Sequence, residues 1–341
     1  MSVDSLVAGR TRRSRRRILL TAGIGLAVLA VFVVSLMVGN TFYGPDKVLR
    51  VILGQQVPGA SFTVGDLRLP RATLGLLAGL CFGIAGVTFQ TMLRNPLASP
   101  DIIGISTGAS AAAVAGIVFF SLSETAVSFV ALAAALATAA AIYLLANKRG
   151  FAGARLILIG IGVAAMLQSV VIYVLSKADT WDLQTATQWL TGSLNGASWN
   201  SVAPLGIACA VLIPIFLLQE RNLSLLRLGD DSARALGVQV QPTRVVLVLA
   251  AVGLLAFATA ATGPIAFVAL MSGPITARIL GPGASLTLPA GLVGALLVLV
   301  ADLVGQFAFG NRYPVGVITG VIGAPYLIFL LIRTNRSGGS I

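Results

Sequence analysis

Long, uninterrupted apolar runs constrain this chain more than any other feature. A helix that crosses a hydrocarbon core of about 30 Å needs about 20 predominantly apolar residues. Ten such runs are present, near 18–38, 72–90, 102–120, 127–146, 154–175, 201–218, 244–262, 264–280, 287–306 and 314–332. The eighth is short and is interrupted by Gly273-Pro274. The runs are continuous rather than alternating, which excludes a closed β-barrel. Charged residues make up only 10% of the chain, against about 25% in a soluble domain. The expected fold class is an all-α integral membrane protein with about ten transmembrane helices.

A net charge of +12 raises the question of nucleic acid, and the placement of the charge excludes it. With ten spans and an inner N-terminus, 17 of the 23 basic residues fall on inner segments. Six are left outside: Lys47, Arg50, Arg68, Arg71, Lys177 and Arg312. That asymmetry satisfies the positive-inside rule and puts both termini in the cytoplasm. Residues 1–17 read as a basic, mobile tail near anionic lipid, 18–333 as one polytopic domain, and 334–341 as a second tail. The first apolar run ends without an A-x-A-like cleavage site, so it reads as a span rather than a signal peptide.

Several chemistries drop out. The chain has no histidine, so imidazole metal sites and histidine proton relays are absent. Its two cysteines, Cys81 and Cys209, each lie within a span and imply no disulfide framework. No phosphate-binding G-x-x-x-x-G-K-[ST] loop occurs. ATP, if used, is bound by another chain. No cofactor or resident metal is expected.

The segment Asp66 to Ser110 carries most of the local signal. Arg68 and Arg71 flank Pro70, which suits the first turn of a helix. Gly75, Gly79 and Gly83 then recur at four-residue steps and clear one helix face for close approach. Gln90 ends the run, and Asn95-Pro96 and Ser99-Pro100 forbid a continuous helix. Gly316 and Gly320, with Ala324, mark a second face of this kind near the C-terminus. Trp181, Trp189 and Trp199 in the outer segment 176–200 read as interfacial belt residues. Asn147-Lys148-Arg149-Gly150 reads as a tight inner turn. Asp302 is a lone acid inside an apolar run and reads as a helix-packing hydrogen-bond partner. The inner loop 219–243 predicts one or two short helices, with Asp230 or Asp231 as a cap and Gly237 as a stop. Leu225, Leu228, Ala233 and Leu236 would then be available as apolar contacts.

R-L-P-R, F-Q, R-N-P-L-A-S-P-D-I-I-G, A-D at 301–302, P-V-G at 314–316 and G-A-P-Y at 323–326 occur in a familiar order. Over about residues 20–333 the chain resembles the FecCD-type permeases. These are membrane subunits of ABC importers for ferric siderophores, haem and vitamin B12. The resemblance implies a BtuC-like inverted repeat of spans two to five against seven to ten. It implies that Arg68 and Arg71 dock a siderophore-binding protein outside the membrane, and that L-G-D-D-S-A-R-A-L-G-V docks a cytoplasmic ATPase dimer. Its catecholate branch, handling ferric-enterobactin-like cargo, pairs two different permease chains. The expected location is the bacterial cytoplasmic membrane.

Three departures matter. Ser272-Gly273-Pro274 stands where many relatives carry Pro-His. Gln306 replaces an arginine that is a further docking contact in many relatives. The acidic residue usual before P-V-G is replaced by the Arg312-Tyr313 region with a one-residue shift, and Arg312 is the candidate substitute for the missing positive charge. The same architecture carrying haem or a cobalamin remains an alternative, as does an ion-coupled secondary transporter. A membrane enzyme finds no candidate nucleophile–base pair.

Overall fold

The computed structural model describes residues 3–99, 104–146, 153–281 and 283–337. The turn at Asn147–Gly150, the break at Pro100 and the start of the third span lie outside them. Fourteen α-helices and one π-helical segment make up the described fold, with no strand among the described residues. They are α1 (Val3–Met37), α2 (Pro45–Ile52), the π-helix Ser61–Arg68, α3 (Leu69–Leu93), α4 (Ile105–Phe120), α5 (Glu124–Ala146), α6 (Gly153–Leu175) and α7 (Thr180–Thr191). Then come α8 (Trp199–Leu218), α9 (Glu220–Leu226), α10 (Asp230–Ala235), α11 (Val240–Thr262), α12 (Val268–Leu280), α13 (Thr287–Phe307) and α14 (Val315–Ser337).

Eight helices are long and apolar enough to cross a membrane, and α4 and α12 are shorter apolar helices. Together they account for the ten expected spans. The two short ones hold corresponding second places in the sets α3–α6 and α11–α14. Each follows a left-handed residue, Gly104 at φ 89° and Phe267 at φ 64°. Short helices at matching positions are a mark of an inverted-repeat transporter.

At the centre stands α3, packed by α8, α11, α12 and α13. Lipid tails are as apolar as leucine, so burial alone does not drive these helices together; close packing does. A Cβ at Gly79 would overlap the backbone of Gly294 and Ala295, and one at Gly83 would overlap that of Ala290. Gly86 meets the backbone of Ala269 on α12 in the same way. At the far end of α3, Arg94 turns left-handed at φ 49°. The Asn95 N–H donates to the Gln90 carbonyl, and Asn95 Oδ1 accepts from the Leu97 N–H at 2.9 Å. Pro96 prevents continuation.

Some expectations change. Residues 3–17 are not a separate tail but the first turns of α1, because nothing stronger than Gly9 interrupts them. The tryptophan segment contains a helix, α7, which packs on α4 and leaves Trp181 exposed. Gly316 does meet backbone, that of Thr191 and Gly192, but Gly320 has nothing within 4 Å. The contact next along α14 is made by Gly323, which makes room for the Phe267 ring.

Gly79→Leu should therefore force α3 and α13 apart and cost about 1–3 kcal/mol, whereas Gly320→Ala should be neutral. Thermal unfolding of the purified chain in detergent would read both. Equal midpoints for the two variants would remove the backbone contact as the source of the packing.

Candidate functional site

Polar side chains gather at the two ends of the bundle. At one end, π-helical residues 61–68 run straight into α3 and carry Arg68 and Arg71 to the mouth of a cleft of about 440 Å³, which Asp302, Gln306 and Arg312 also line. Arg71 forks onto Asp302, with Nη2 at 2.8 Å from Oδ1 and Nε at 3.0 Å from Oδ2. Its Nη1 donates to Asn195 Oδ1 at 2.8 Å, and Gln306 Nε2 donates to Asp302 Oδ2 at 2.7 Å. The side chain of Asp302 is 6% exposed and that of Arg71 is 20% exposed. Arg68 lies over the C-terminal end of α1. It donates to the carbonyls of Leu36, Met37 and Thr41, with its guanidinium 5.1 Å from the Tyr43 ring centre. A cation there satisfies carbonyls that the helix leaves unpaired.

These contacts tie both arginines into the fold. Asp66, their neighbour in sequence, makes no ion pair among the described residues; Asp302, 231 positions from Arg71, does. Arg312 is exposed at the rim and has no ion-pair partner among the described residues. Three arginines against one aspartate leave the cleft with a net charge of +2.

At the opposite end, α9 and α10 project between α8 and α11. Asp230 Oδ1 accepts from Arg94 Nη2 at 2.8 Å and from Arg244 Nη2 at 2.7 Å. The expected cap is absent: Gly229 precedes α10 with no side-chain cap bond. Asp230 turns instead to the two arginines, and the exposed Asp231 pairs with Arg234. The stop is as expected, with Gly237 at φ 85°, its N–H on the Arg234 carbonyl and the Val238 N–H on the Ala233 carbonyl. That double bond is a Schellman motif. Of the four apolar candidates, Ala233 is fully buried inside the chain, Leu225 is half-buried, and Leu228 and Leu236 are exposed at 60% and 54%. The small alanine packs beneath the loop, so only the two exposed leucines present apolar surface outward.

Gln90, expected along the pathway or at a packed face, lies at a packed face. It is buried, donates to the Leu270 carbonyl at 2.9 Å, and fills the space left by Gly273. Asn95 and Pro96 are exposed in the turn. A cleft of about 530 Å³ nearby is lined by Ser99, Ser106, Ser110, Gln168 and Phe267. Neither this cleft nor the roles of Asn195 and Arg244 has a local sequence signal.

The FecCD transport family matches residues 27–333. The chain belongs to that family. It is 39% identical to the achromobactin transport system permease protein CbrC of Dickeya dadantii, over 98% of both chains. It is 38% identical to the ferric enterobactin transport system permease protein FepG of Escherichia coli, over 94% of this chain and 98% of that one. The vitamin B12 import system permease protein BtuC of Vibrio cholerae is 33% identical over 99% of this chain and 100% of its own. Among solved structures, an inward-facing metal-chelate type ABC transporter superposes with a TM-score of 0.81. It is 26% identical, over 92% of this chain and 98% of that chain.

Removing one partner of a buried pair leaves an uncompensated charge. Arg71→Ala and Asp302→Ala should each cost about 3 kcal/mol, the low end for such pairs because Arg71 keeps some solvent. The double variant should regain part of that loss in a thermal unfolding cycle. Strict additivity would show that the pair is not coupled.

The Arg244 hydrogen bond, opposed by partial burial and helped by Arg94, holds the Asp230 carboxyl below its usual range. A depressed carboxylate stabilises the fold fully above its unfolded pKa of about 3.9 and loses that contribution as pH falls through the lower folded value. Hydrogen exchange across residues 227–240 should therefore be insensitive to this group from neutral pH to about 4 and should accelerate below it. Asp230→Asn should loosen the loop at neutral pH by about 1 kcal/mol. No change in exchange for that variant would show that the two arginines do not hold the loop.

Proposed function

We propose that the chain is the membrane-spanning subunit of an ABC importer that carries an iron–siderophore complex of the catecholate type into the cytoplasm. The observation that carries the siderophore reading is full-length similarity to permeases named for achromobactin and ferric enterobactin, at higher identity than to the vitamin B12 permease; the ferric enterobactin relative alone favours the catecholate type. The polar geometry supports the partners. The cleft with Arg68, Arg71 and Arg312 faces outward and receives carboxylates of a siderophore-binding protein. Charge complementarity there speeds encounter and fixes register. The α9–α10 loop faces the cytoplasm with both termini, and Leu228 and Leu236 enter an ATPase subunit, one of a pair that hydrolyses ATP on separate chains. A second, different permease packs along α6 and α14, two of the several spans that leave many apolar residues exposed. The serine-lined cleft at Ser99, Ser106 and Ser110 forms part of the pathway wall. Such a surface lets a bulky cargo pass without gripping it.

An ion-coupled transporter needs a titratable group free to exchange its ion within the membrane. Asp302 is already saturated by Arg71 and Gln306, which disfavours that mechanism.

Reconstitution with the ATPase, the second permease and the binding protein in proteoliposomes tests the reading. Ferric catecholate uptake should exceed that of a ferric hydroxamate or a cobalamin. Leu236→Asp should insert normally yet lose binding-protein-stimulated ATP hydrolysis by more than about 100-fold, because it places an unpaired charge in an apolar contact. Arg312→Glu should weaken docking at low salt and less so at 1 M, where screening falls to about 3 Å. Retained coupling in Leu236→Asp would remove the loop from the ATPase contact, and cobalamin preference would overturn the cargo.

A further inference from the structure

Among the described residues only three other than glycine have a left-handed backbone: Arg94, Ser121 and Phe267. Arg94 and Ser121 each end a helix, where that conformation is common. Phe267 instead precedes one. It is the N-cap of α12, at φ 64° and ψ −14°, where extended backbone is the rule. For a bulky side chain that geometry is strained. Across it the Val268 N–H donates to the Ala266 carbonyl at 2.9 Å, closing a three-residue turn. Gly104 makes the corresponding break before α4 at φ 89° without that cost. The break itself does not call for an aromatic ring.

Strain of this kind persists only where neighbours over-determine it, and here they are identifiable. The Ser193 N–H donates to the Thr262 carbonyl at 2.7 Å, and the Gly316 N–H to the Gly192 carbonyl at 3.0 Å. A Cβ at Gly192 would overlap the Pro264 carbonyl, and one at Gly263 that of Trp189. The end of α7 thus pins the chain just before Phe267 and anchors the start of α14. Seven residues after Gly316, on the same helix face, Gly323 leaves the space that the Phe267 Cβ and ring occupy. Two residues further, α14 contains Pro325. Proline lacks the N–H that would bond the Val321 carbonyl, which gives the helix a hinge.

Depth decides what the ring covers. Helix α12 has 13 residues and its neighbour α13 has 21, so Phe267 lies about 12 Å inside the Arg71 end at 1.5 Å per residue. Thr107 precedes Phe120, the last residue of α4, by 13 positions, about 20 Å inside the same end. Both line the cleft of about 530 Å³, with Ser110, Gln168 and Leu327. The half-buried ring therefore lies between that end of the bundle and the deeper wall.

We propose that Phe267 is a gate over this cleft. Seated on Gly323, the ring is held in strained backbone and covers the hydroxyl-lined wall. When α14 bends at Pro325 the seat is lost, Phe267 relaxes to extended backbone, and the cleft opens toward the Arg71 end. Gating of cargo rests on the transport reading above, whereas movement of the ring is a property of the chain alone.

Labelling of Thr107→Cys by a water-soluble methanethiosulfonate, on the full chain in detergent, tests the movement without any cargo. Cys81 and Cys209 are buried, and their background is measured on the unaltered chain. Gly323→Ala unseats the ring and should speed labelling about tenfold, the equivalent of about 1.4 kcal/mol, which is the size of left-handed strain in one residue. Pro325→Ala restores the missing helix bond and should slow labelling below that of the Thr107→Cys parent. Phe267→Gly has neither strain nor ring, so labelling should be fast and Pro325→Ala should no longer slow it. Labelling unchanged by Pro325→Ala in the parent would overturn the proposal. That variant strengthens its helix, so a folding defect does not protect the idea. Slowing that persists in Phe267→Gly would overturn it too. Failure of the cargo assignment would look different: no uptake by the reconstituted assembly, with these labelling ratios intact.

Discussion

Backbone-to-backbone contact between α3 and α13 is the constraint on which the rest of this structure depends. Gly79 faces Gly294, and Gly83 faces Ala290 and Gly291. Four residues earlier on α3, Gly75 meets Val298, and four earlier again Arg71 meets Asp302. The paired numbers move by four in opposite senses, as a single i, i+4 ridge must on two antiparallel helices. The glycines and the ion pair thus belong to one seam, and the ion pair lies about 12 Å from the Gly79–Gly294 contact at 1.5 Å per residue. Without side chains at the crossing the backbones come close. A salt bridge two ridge positions further then closes without long side chains spanning a gap.

That seam also explains which parts of the fold the sequence could show. The ten apolar runs and the glycine spacing are properties of contiguous residues, and they were legible to within a few positions at most boundaries. The glycine partner was not, since nothing in residues 75–83 says that the facing helix is more than 200 positions away. Asp302 read as a packing acid, yet nothing local pointed to Arg71, 231 positions away, as its cation. Gly320 illustrates the opposite error. It repeats the four-residue period of Gly316, but α14 has left the Thr191–Gly192 backbone by then, so the period outlasts the contact. At the α9–α10 loop the stop at Gly237 was legible because a left-handed residue is a local requirement. The cap was not, because Asp230 has a local option and a pair of distant arginines, and the charged pair wins: hydrogen bonds to ionised groups are the stronger.

The two polar ends differ in physical kind. The Arg71–Asp302 fork is nearly out of water and is reinforced by Asn195 and Gln306, so breaking it leaves buried charge. The Arg94–Asp230–Arg244 cluster is part exposed, with Arg94 nearly half open to solvent, and its net worth is correspondingly smaller. Gln306 gains meaning from this difference. It stands where an arginine would bring a second cation to the Asp302 carboxylate; a neutral amide instead completes the hydrogen bonding of Oδ2 without adding charge.

Both ends are carried by α3. Arg71 lies in its first turn and Arg94 caps its last, 23 residues and about 35 Å apart. Between them α3 is almost entirely buried and contains no proline after its first turn, so it has no hinge of the usual kind. The helix is gripped by α13 at one end through the fork and tied at the other to the loop through Asp230. A rod without a hinge transmits displacement rather than absorbing it. Any rigid-body movement of the α9–α10 loop that keeps the Asp230 contacts must therefore shift α3. That shift must be accommodated at the Arg71 cleft, either by α13 moving with it or by the fork letting go.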